Sequence, residues 1–328
     1  MIEVDHLVKK FGDFTAVADL SFTVERGQVM GFLGPNGAGK STTMKMITGF
    51  LRPTSGTARI MGLDICDNML AAQRQFGYLP EGAPAWPDMT PRAFLQFITK
   101  IRGLDKIAAR AAEARAIEMT ELHGVLDQPI DTLSKGYRRR VGLAQAIVHD
   151  PQVLVMDEPT DGLDPNQKFQ VRRAITDMAE DKAIIISTHI LEEVDAVCAA
   201  AMIIDHGRIV AQGTPSELAA RSRYSGAVTL TLETGKLAAA QKLLEKVAHE
   251  SAELVTRGDE SSLHIFARQG SEPGALLADL RAAVGEAGLA PRALALETGR
   301  LDDVFGALTG KARPAGARFA PEGEGASS

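Results

Sequence analysis

Along residues 1 to about 220, short and almost wholly apolar runs alternate with segments of helical period. The runs at 29–33, 153–156 and 183–186 read as strands whose two faces are both covered by helices. This alternation predicts an α/β domain with a mostly parallel sheet. Between about 83 and 146 the strand pattern lapses, and helical segments at 91–101, 107–122 and 135–149 predict an inserted helical subdomain. Runs at 201–204 and 208–211 flank Asp205-His206-Gly207 as the arms of a hairpin flank its turn.

After Ser222 the period changes to two. Val228, Leu230 and Leu232 alternate with Thr229, Thr231 and Glu233, which is the pattern of a half-buried strand. Leu237, Ala240, Leu244 and Val247 then form one helical stripe. Strands near 254–255 and 263–266, a helix at 275–284, a strand at 293–296 and a helix at 301–308 follow. The order βαββαβ predicts a small α+β domain of ferredoxin-like kind over 223–310, after a first domain at 1–222. From Lys311 on, Pro, Gly, Ala, Ser and Glu dominate, and 311–328 is expected to be an unstructured tail.

The composition narrows the class without changing that outline. The 328 residues are 45% hydrophobic, 24% charged and 5% aromatic, an ordinary globular balance. With 36 Lys and Arg against 42 Asp and Glu, the net charge of −6 argues against a broad nucleic-acid face. Arg138-Arg139-Arg140 is the densest basic run and reads as a solvated helix face. The longest apolar stretches, such as 196–204, reach half of the roughly 18 residues that a membrane-spanning helix needs. The first residues lack the basic start and apolar stretch of a secretory signal, so a cytoplasmic location is expected. Cys66 and Cys198 form no CxxC pair and are expected to be buried small hydrophobes.

The candidate chemistry starts at Gly34-Pro35-Asn36-Gly37-Ala38-Gly39-Lys40-Ser41, which follows an apolar strand and precedes a helical segment. Such a loop lets backbone N–H groups from Asn36 through Gly37, Ala38 and Gly39 to Thr42 curl around phosphate oxygens at a helix N-terminus. Lys40 would reach the β and γ phosphates, and the Ser41 hydroxyl would bind Mg²⁺. Asp157 and Glu158 end the buried run at 153–156, where charge is costly unless paired or bound to metal. Asp157 is the expected partner of Mg²⁺, and Glu158 is placed to orient and deprotonate a water attacking the γ-phosphate. A carboxylate of ordinary pKa, about 4.3, is a poor base toward bulk water, so positioning is its main expected task. Ser187-Thr188-His189 follows the run at 183–186 in the same topological position. A lone histidine is more often a helix cap or core residue, but at this strand end His189 lies near the phosphates and can donate to the transferred group.

Together with Leu133-Ser134-Lys135-Gly136-Tyr137 ahead of a helix, these motifs resemble the ATP-binding subunit of an ABC transporter over about residues 1–220. The resemblance implies a P-loop NTPase fold, with ATP and Mg²⁺ as ligands. It maps the signature motif onto Ser134 and Gly136, the D-loop onto Gly162-Leu163-Asp164, the switch histidine onto His189 and the adenine-stacking aromatic onto Phe11. Phe11 also reads as an ordinary core residue. The family mechanism joins two such domains head to tail, each ATP lying between one phosphate loop and the other signature, so a homodimer or a dimer with a close paralogue is implied. Two departures stand out. Lys135 and Tyr137 replace the usual Gly and Gln of the signature, and Glu81 in Gly77-Tyr78-Leu79-Pro80-Glu81 holds the place of the Q-loop glutamine, where it would be a Mg²⁺ ligand of changed charge.

Gly77 to Glu81, Asp88-Met89-Thr90 and the stretch 301–310 resemble the exporter-type branch of drug, sodium and gliding-motility-associated subunits. That implies a separate membrane permease as partner and a peripheral place on the inner face of the membrane. Tyr78, Trp86, Met89 and Phe94 would form the docking groove, unless they fill the core of the helical subdomain. The second domain would stabilise the dimer or regulate it. A rival reading is a soluble ABC ATPase acting on nucleic acid or ribosomes. It fits less well, because only about fifty residues separate Glu81 from Leu133, leaving no room for long coiled coils, and a single ATPase domain is present. No nucleic acid is therefore expected as a partner. A binding module without turnover fits poorly with intact Asp157, Glu158 and His189.

Overall fold

The computed structural model describes residues 1–268, 270–272 and 274–310, and 317–319 as backbone. The chain divides into two units, Met1–Pro215 and Ser216–Ser328. The division falls seven residues before the expected one. Ser222 belongs with the second unit, donating its hydroxyl to Asp303 at 2.8 Å.

In the first unit, strands β1 (Ile2–Phe11), β2 (Phe14–Val24), β3 (Val29–Leu33), β4 (Ser55–Ile60), β5 (Leu63–Asp64), β6 (Phe76–Leu79), β7 (Val153–Asp157), β8 (Ala183–Thr188), β9 (Ala200–Asp205) and β10 (Arg208–Gly213) form a sheet. Its order among the described residues is β5-β4-β1-β2-β10-β9-β3-β8-β7-β6. The strands β9-β3-β8-β7-β6 form the expected parallel sheet, and β10 adds a parallel bridge to β2 at Arg208 and Asp19. On the other side β1 pairs antiparallel with β2 and β4, and β10 with β9. The expectation of a mostly parallel sheet is corrected there. In β1 the residues Ile2, Val4 and Leu7 bury while Glu3 and Asp5 do not, which is the half-covered alternation of antiparallel strands. Every position of β3, β7 and β8 is buried.

Helices α1 (Lys40–Ile47) and α2 (Met69–Gln75) precede the helical insertion of α3 (Pro91–Ile101), α4 (Lys106–Thr120) and α5 (Lys135–Ile147). Helices α6 (Pro165–Ala179) and α7 (Leu191–Val197) follow, and α8 (Pro215–Ala219) lies at the start of the second unit. Local chemistry starts most of them. Thr90 caps α3 ahead of Pro91, Asp105 caps α4, Ser134 caps α5, and Asp164 with Gln167 forms a capping box on α6.

Registers across the parallel strands fix the functional border. Leu33 pairs with Thr188 and Asp157 with Ser187, so the carboxyl ends of β3, β7 and β8 finish side by side. Ligands of open α/β sheets bind at such a border.

In the second unit, β11 (Val228–Glu233), α9 (Leu237–Leu244), β12 (Ser251–Arg257), β13 (Glu260–Phe266), α10 (Ala275–Glu286), β14 (Ala293–Leu296), α11 (Leu301–Leu308) and β15 (Ala317–Phe319) follow one another. The sheet order is β14-β11-β13-β12-β15, all antiparallel. Val228, Leu230 and Leu232 share a core with Leu243 of α9 and Leu280 of α10. The expected unstructured tail is corrected at 317–319, which pairs with β12, because an edge strand offers unpaired N–H and C=O groups. The rest of that tail lies outside the described residues.

Two surface expectations change as well. Cys198 is buried as expected, but Cys66 is exposed. Of the three arginines at 138–140 only Arg138 is exposed; Arg139 and Arg140 are 5% and 7% exposed. Helical spacing from Gly136, Leu143 and Ile147 puts these two on the inner face of α5.

Candidate nucleotide site

The phosphate loop leaves β3 and enters α1 through Gly39, whose φ of 103° is left-handed. A Cβ there would stand 2.6 Å from the Ala16 carbonyl oxygen, so the turn admits only glycine. Asn36, Gly37, Gly39, Lys40, Ser41 and Thr42 line a cleft of about 360 Å³. Glu81, Glu158 and His189 line it from neighbouring strand ends, and Phe14 and Ala16 from β2. Ala38, expected to face phosphate, is turned inward. It is 3% exposed, and its N–H donates to the Pro35 carbonyl at 3.1 Å.

The Lys40 ammonium donates to the Gly34 and Pro35 carbonyls at 2.7 and 3.1 Å. Burial pushes its pKa down, while Glu158, Asp157 and Glu81 pull the other way. Asp157 is almost fully buried and accepts a hydrogen bond from the Ser187 hydroxyl on Oδ1. Its Oδ2 is buried with no hydrogen-bond partner among the described residues. An unsatisfied carboxylate oxygen of this kind is what a bound cation or its water shell requires.

Glu158 has φ +51°, a left-handed conformation that a non-glycine residue keeps only when its surroundings hold it there. Its N–H donates to the Ser187 carbonyl and hydroxyl oxygens, both at 3.1 Å. Its carboxylate Oε1 lies 2.9 Å from His189 Nδ1. The next helix steadies the same border: the buried Glu193 accepts from the Thr160 hydroxyl, and from the Thr188 hydroxyl at 2.6 Å.

The signature residues sit elsewhere. Ser134 Oγ accepts from Tyr137 N at 3.3 Å as the cap of α5, and neither Ser134 nor Gly136 lines the cleft described. Gly136 is buried against Gln167 of α6, whose Oε1 a Cβ would meet at 2.4 Å. Lys135 donates to Asp161 at 2.7 Å, tying the signature to the D-loop segment. Phe11 is 50% exposed and pairs in register with Phe14, the aromatic that lines the cleft. The expected docking aromatics divide. Trp86 is 53% exposed and Met89 half-buried, whereas Tyr78 and Phe94 belong to the core. Trp86 rests edge-on against Phe97 at 5.0 Å, and Phe50 is also exposed.

Sequence reasoning missed Phe14, Glu193 and Arg139. The only local signal was for Arg139, whose spacing matches the buried residues of α5.

Residues 17–161 match the family described as ABC transporter. Nod factor export ATP-binding protein I of Ralstonia nicotianae is 35% identical over 312 residues, spanning 95% of this chain and 94% of that protein. The chain belongs to the ABC transporter family as an ATP-binding, ATP-hydrolysing subunit. This ABC subunit is also 36% identical over 223 residues to the probable multidrug ABC transporter ATP-binding protein YbhF of Escherichia coli, covering 68% of the chain and 38% of that protein. Among solved structures, an ATP-binding subunit of an ABC transporter superposes with a TM-score of 0.63 at 29% identity, covering 66% of this chain and 91% of the other. A dimeric bacterial ABC transporter cassette at 20% identity and TM-score 0.61, covering 66% and 99%, shares the fold of the ABC subunit.

Proposed function

We propose that two copies of the chain meet head to tail and hydrolyse MgATP between them, driving export through a separate membrane permease. The observation that carries this reading is the separation of the two halves of the site. Lys40, Glu158 and His189 share one cleft, while Ser134 caps a helix away from it. Ser134 and the first N–H groups of α5 suit a γ-phosphate supplied by another copy.

Within each cleft the loop from Asn36 to Thr42 holds the phosphates, and Lys40 exchanges its carbonyl partners for phosphate oxygens. Glu158 positions the attacking water, with His189 donating toward the transferred phosphate. Ser41, Asp157 and Glu81 supply oxygen ligands that suit Mg²⁺, and the unpartnered Asp157 Oδ2 supports that assignment. The metal would neutralise charge on the β and γ phosphates. Phe14 and Phe11 together suit the adenine face. Trp86, Met89, Phe97 and Phe50 offer the apolar surface for the permease, with the subunit held at the inner face of the membrane. No helix among the described residues is long and apolar enough to cross a bilayer, which fits a permease on another chain. The relative named for export supports that direction.

A mixing experiment tests the composite site. Lys40→Ala and Ser134→Arg chains are each expected to be inactive alone. Mixed, the heterodimer joins one intact phosphate loop to one intact signature and should recover about a quarter of wild-type turnover, the statistical share of one site in half of the dimers. No recovery on mixing, with each variant still binding ATP where its loop is intact, would overturn the head-to-tail reading.

A further inference from the structure

We propose that Arg139 is a positioning residue for Glu158, holding from the signature helix the strained turn that aims the carboxylate. Its guanidinium is 5% exposed and spends its donors on main-chain carbonyls. Nη2 donates to the carbonyls of Asp157 and Glu158, Nε to that of Pro159 at 3.4 Å, and Nη1 to that of Pro80 at 3.0 Å. No carboxylate pairs with it among the hydrogen bonds and ion pairs described. A buried guanidinium is costly unless its donors are satisfied, and here one planar fork satisfies them on three consecutive carbonyls of a single turn.

That turn carries the left-handed Glu158, a conformation that needs a surrounding frame. The frame is two-sided. Ser187 grips the Glu158 N–H from β8, and Arg139 grips the carbonyls from α5. The fourth carbonyl, Pro80, immediately precedes Glu81, so one side chain spans the signature helix, the Q-loop and the end of β7. Lysine, a single point donor on a flexible stem, cannot reach these acceptors together.

This inference rests on the role of Glu158 proposed above, so that residue is tested alongside. With the full chain, Arg139→Lys should lower kcat about tenfold or more and leave KM for ATP within about twofold. Arg139→Gln, uncharged and with a single amide donor group, should fall further. In a Glu158→Gln background, Arg139→Lys should add no loss, since a residue that acts through Glu158 has nothing left to position. The Asp161 amide, which donates to the Glu158 carbonyl at 3.1 Å, should exchange its hydrogen faster in the Lys variant while the amides of β7 keep their protection. Wild-type kcat in both Arg139 variants, a loss confined to KM, additive losses in the double variant, or uniform loss of protection would each overturn the proposal. Near-normal turnover of Glu158→Gln alone would instead remove the role of Glu158.

Discussion

His189 Nδ1 stands 2.9 Å from Glu158 Oε1, joining the residues that directly follow two neighbouring strands across the cleft. A carboxylate only accepts, so Nδ1 is the donor here, and donating to phosphate from Nε2 as well takes a ring that carries a proton on both nitrogens. Both side chains should therefore act as a unit. Glu158→Gln is expected to bind ATP and slow hydrolysis at least a hundredfold, since water positioning and base action contribute about that much. His189→Ala should lose a similar factor, and the double variant little more than the worse single one. Steady-state ATPase rates of the four proteins check this, and losses that multiply would show two independent roles.

Gly77 in β6 makes a stability prediction. A Cβ on it would stand 1.9 Å from the Ala146 carbonyl oxygen of α5, a backbone atom in a helix that cannot move aside alone. Gly77→Ala is expected to destabilise the chain by about 3 kcal/mol, the upper range of overpacking. Gly124→Ala, with nothing within 4 Å, should stay within about 1 kcal/mol of wild type. Urea unfolding midpoints decide, and equal midpoints for the two variants would refute the close approach of α5 to β6.

His149 predicts a pH dependence. Its Nε2 donates to the Phe76 carbonyl at 3.1 Å, while Nδ1 is buried without a partner among the described residues. Burial, helped by the charge of Arg102, pushes its pKa down to about 4. Unfolded, the same ring titrates near 6.5. Between those values the unfolded chain takes up a proton that the folded chain refuses, so stability falls as pH drops from about 6.5 toward 4. The loss amounts to up to about 3 kcal/mol by the end of the window. His149→Gln should flatten that part of the profile, measured as the difference in unfolding free energy from wild type between pH 7.5 and 4.5. Parallel profiles would sink the assignment.

What the sequence disclosed followed from how local each signal was. Val29–Leu33, Pro91–Ile101 and Leu301–Leu308 have the bounds their own residues announce, because an unbroken apolar run, a Thr-Pro cap and an apolar stripe act within a few positions. The phosphate loop is equally local, since its glycines and Lys40 are consecutive. Pairings between distant segments were not legible. The antiparallel partnership of β1 with β2 and β4 depends on which strands meet, and a one-residue alternation does not say that. Arg139 and Arg140 were misread for the same reason. Arginine is usually exposed, and distant partners make burial affordable here: the carbonyls of Pro80 and 157–159 for Arg139, and Glu121 and Gln170 for Arg140. For Tyr78 the sequence left a docking aromatic and a core residue both open, and the ring is buried beside Phe50. Phe14 went unnoticed because the hairpin that sets it opposite Phe11 is a fact of pairing.

Strand β6 ends its side of the ten-stranded sheet among the described residues, and a terminal strand ordinarily invites another to add. Here Gln145 donates to the Tyr78 carbonyl at 2.7 Å, and His149 occupies that of Phe76. The acceptors on which an incoming strand would have zipped are already taken. That flank is thereby closed to an added strand at these two acceptors, which leaves copies of the protein to find one another through other surfaces.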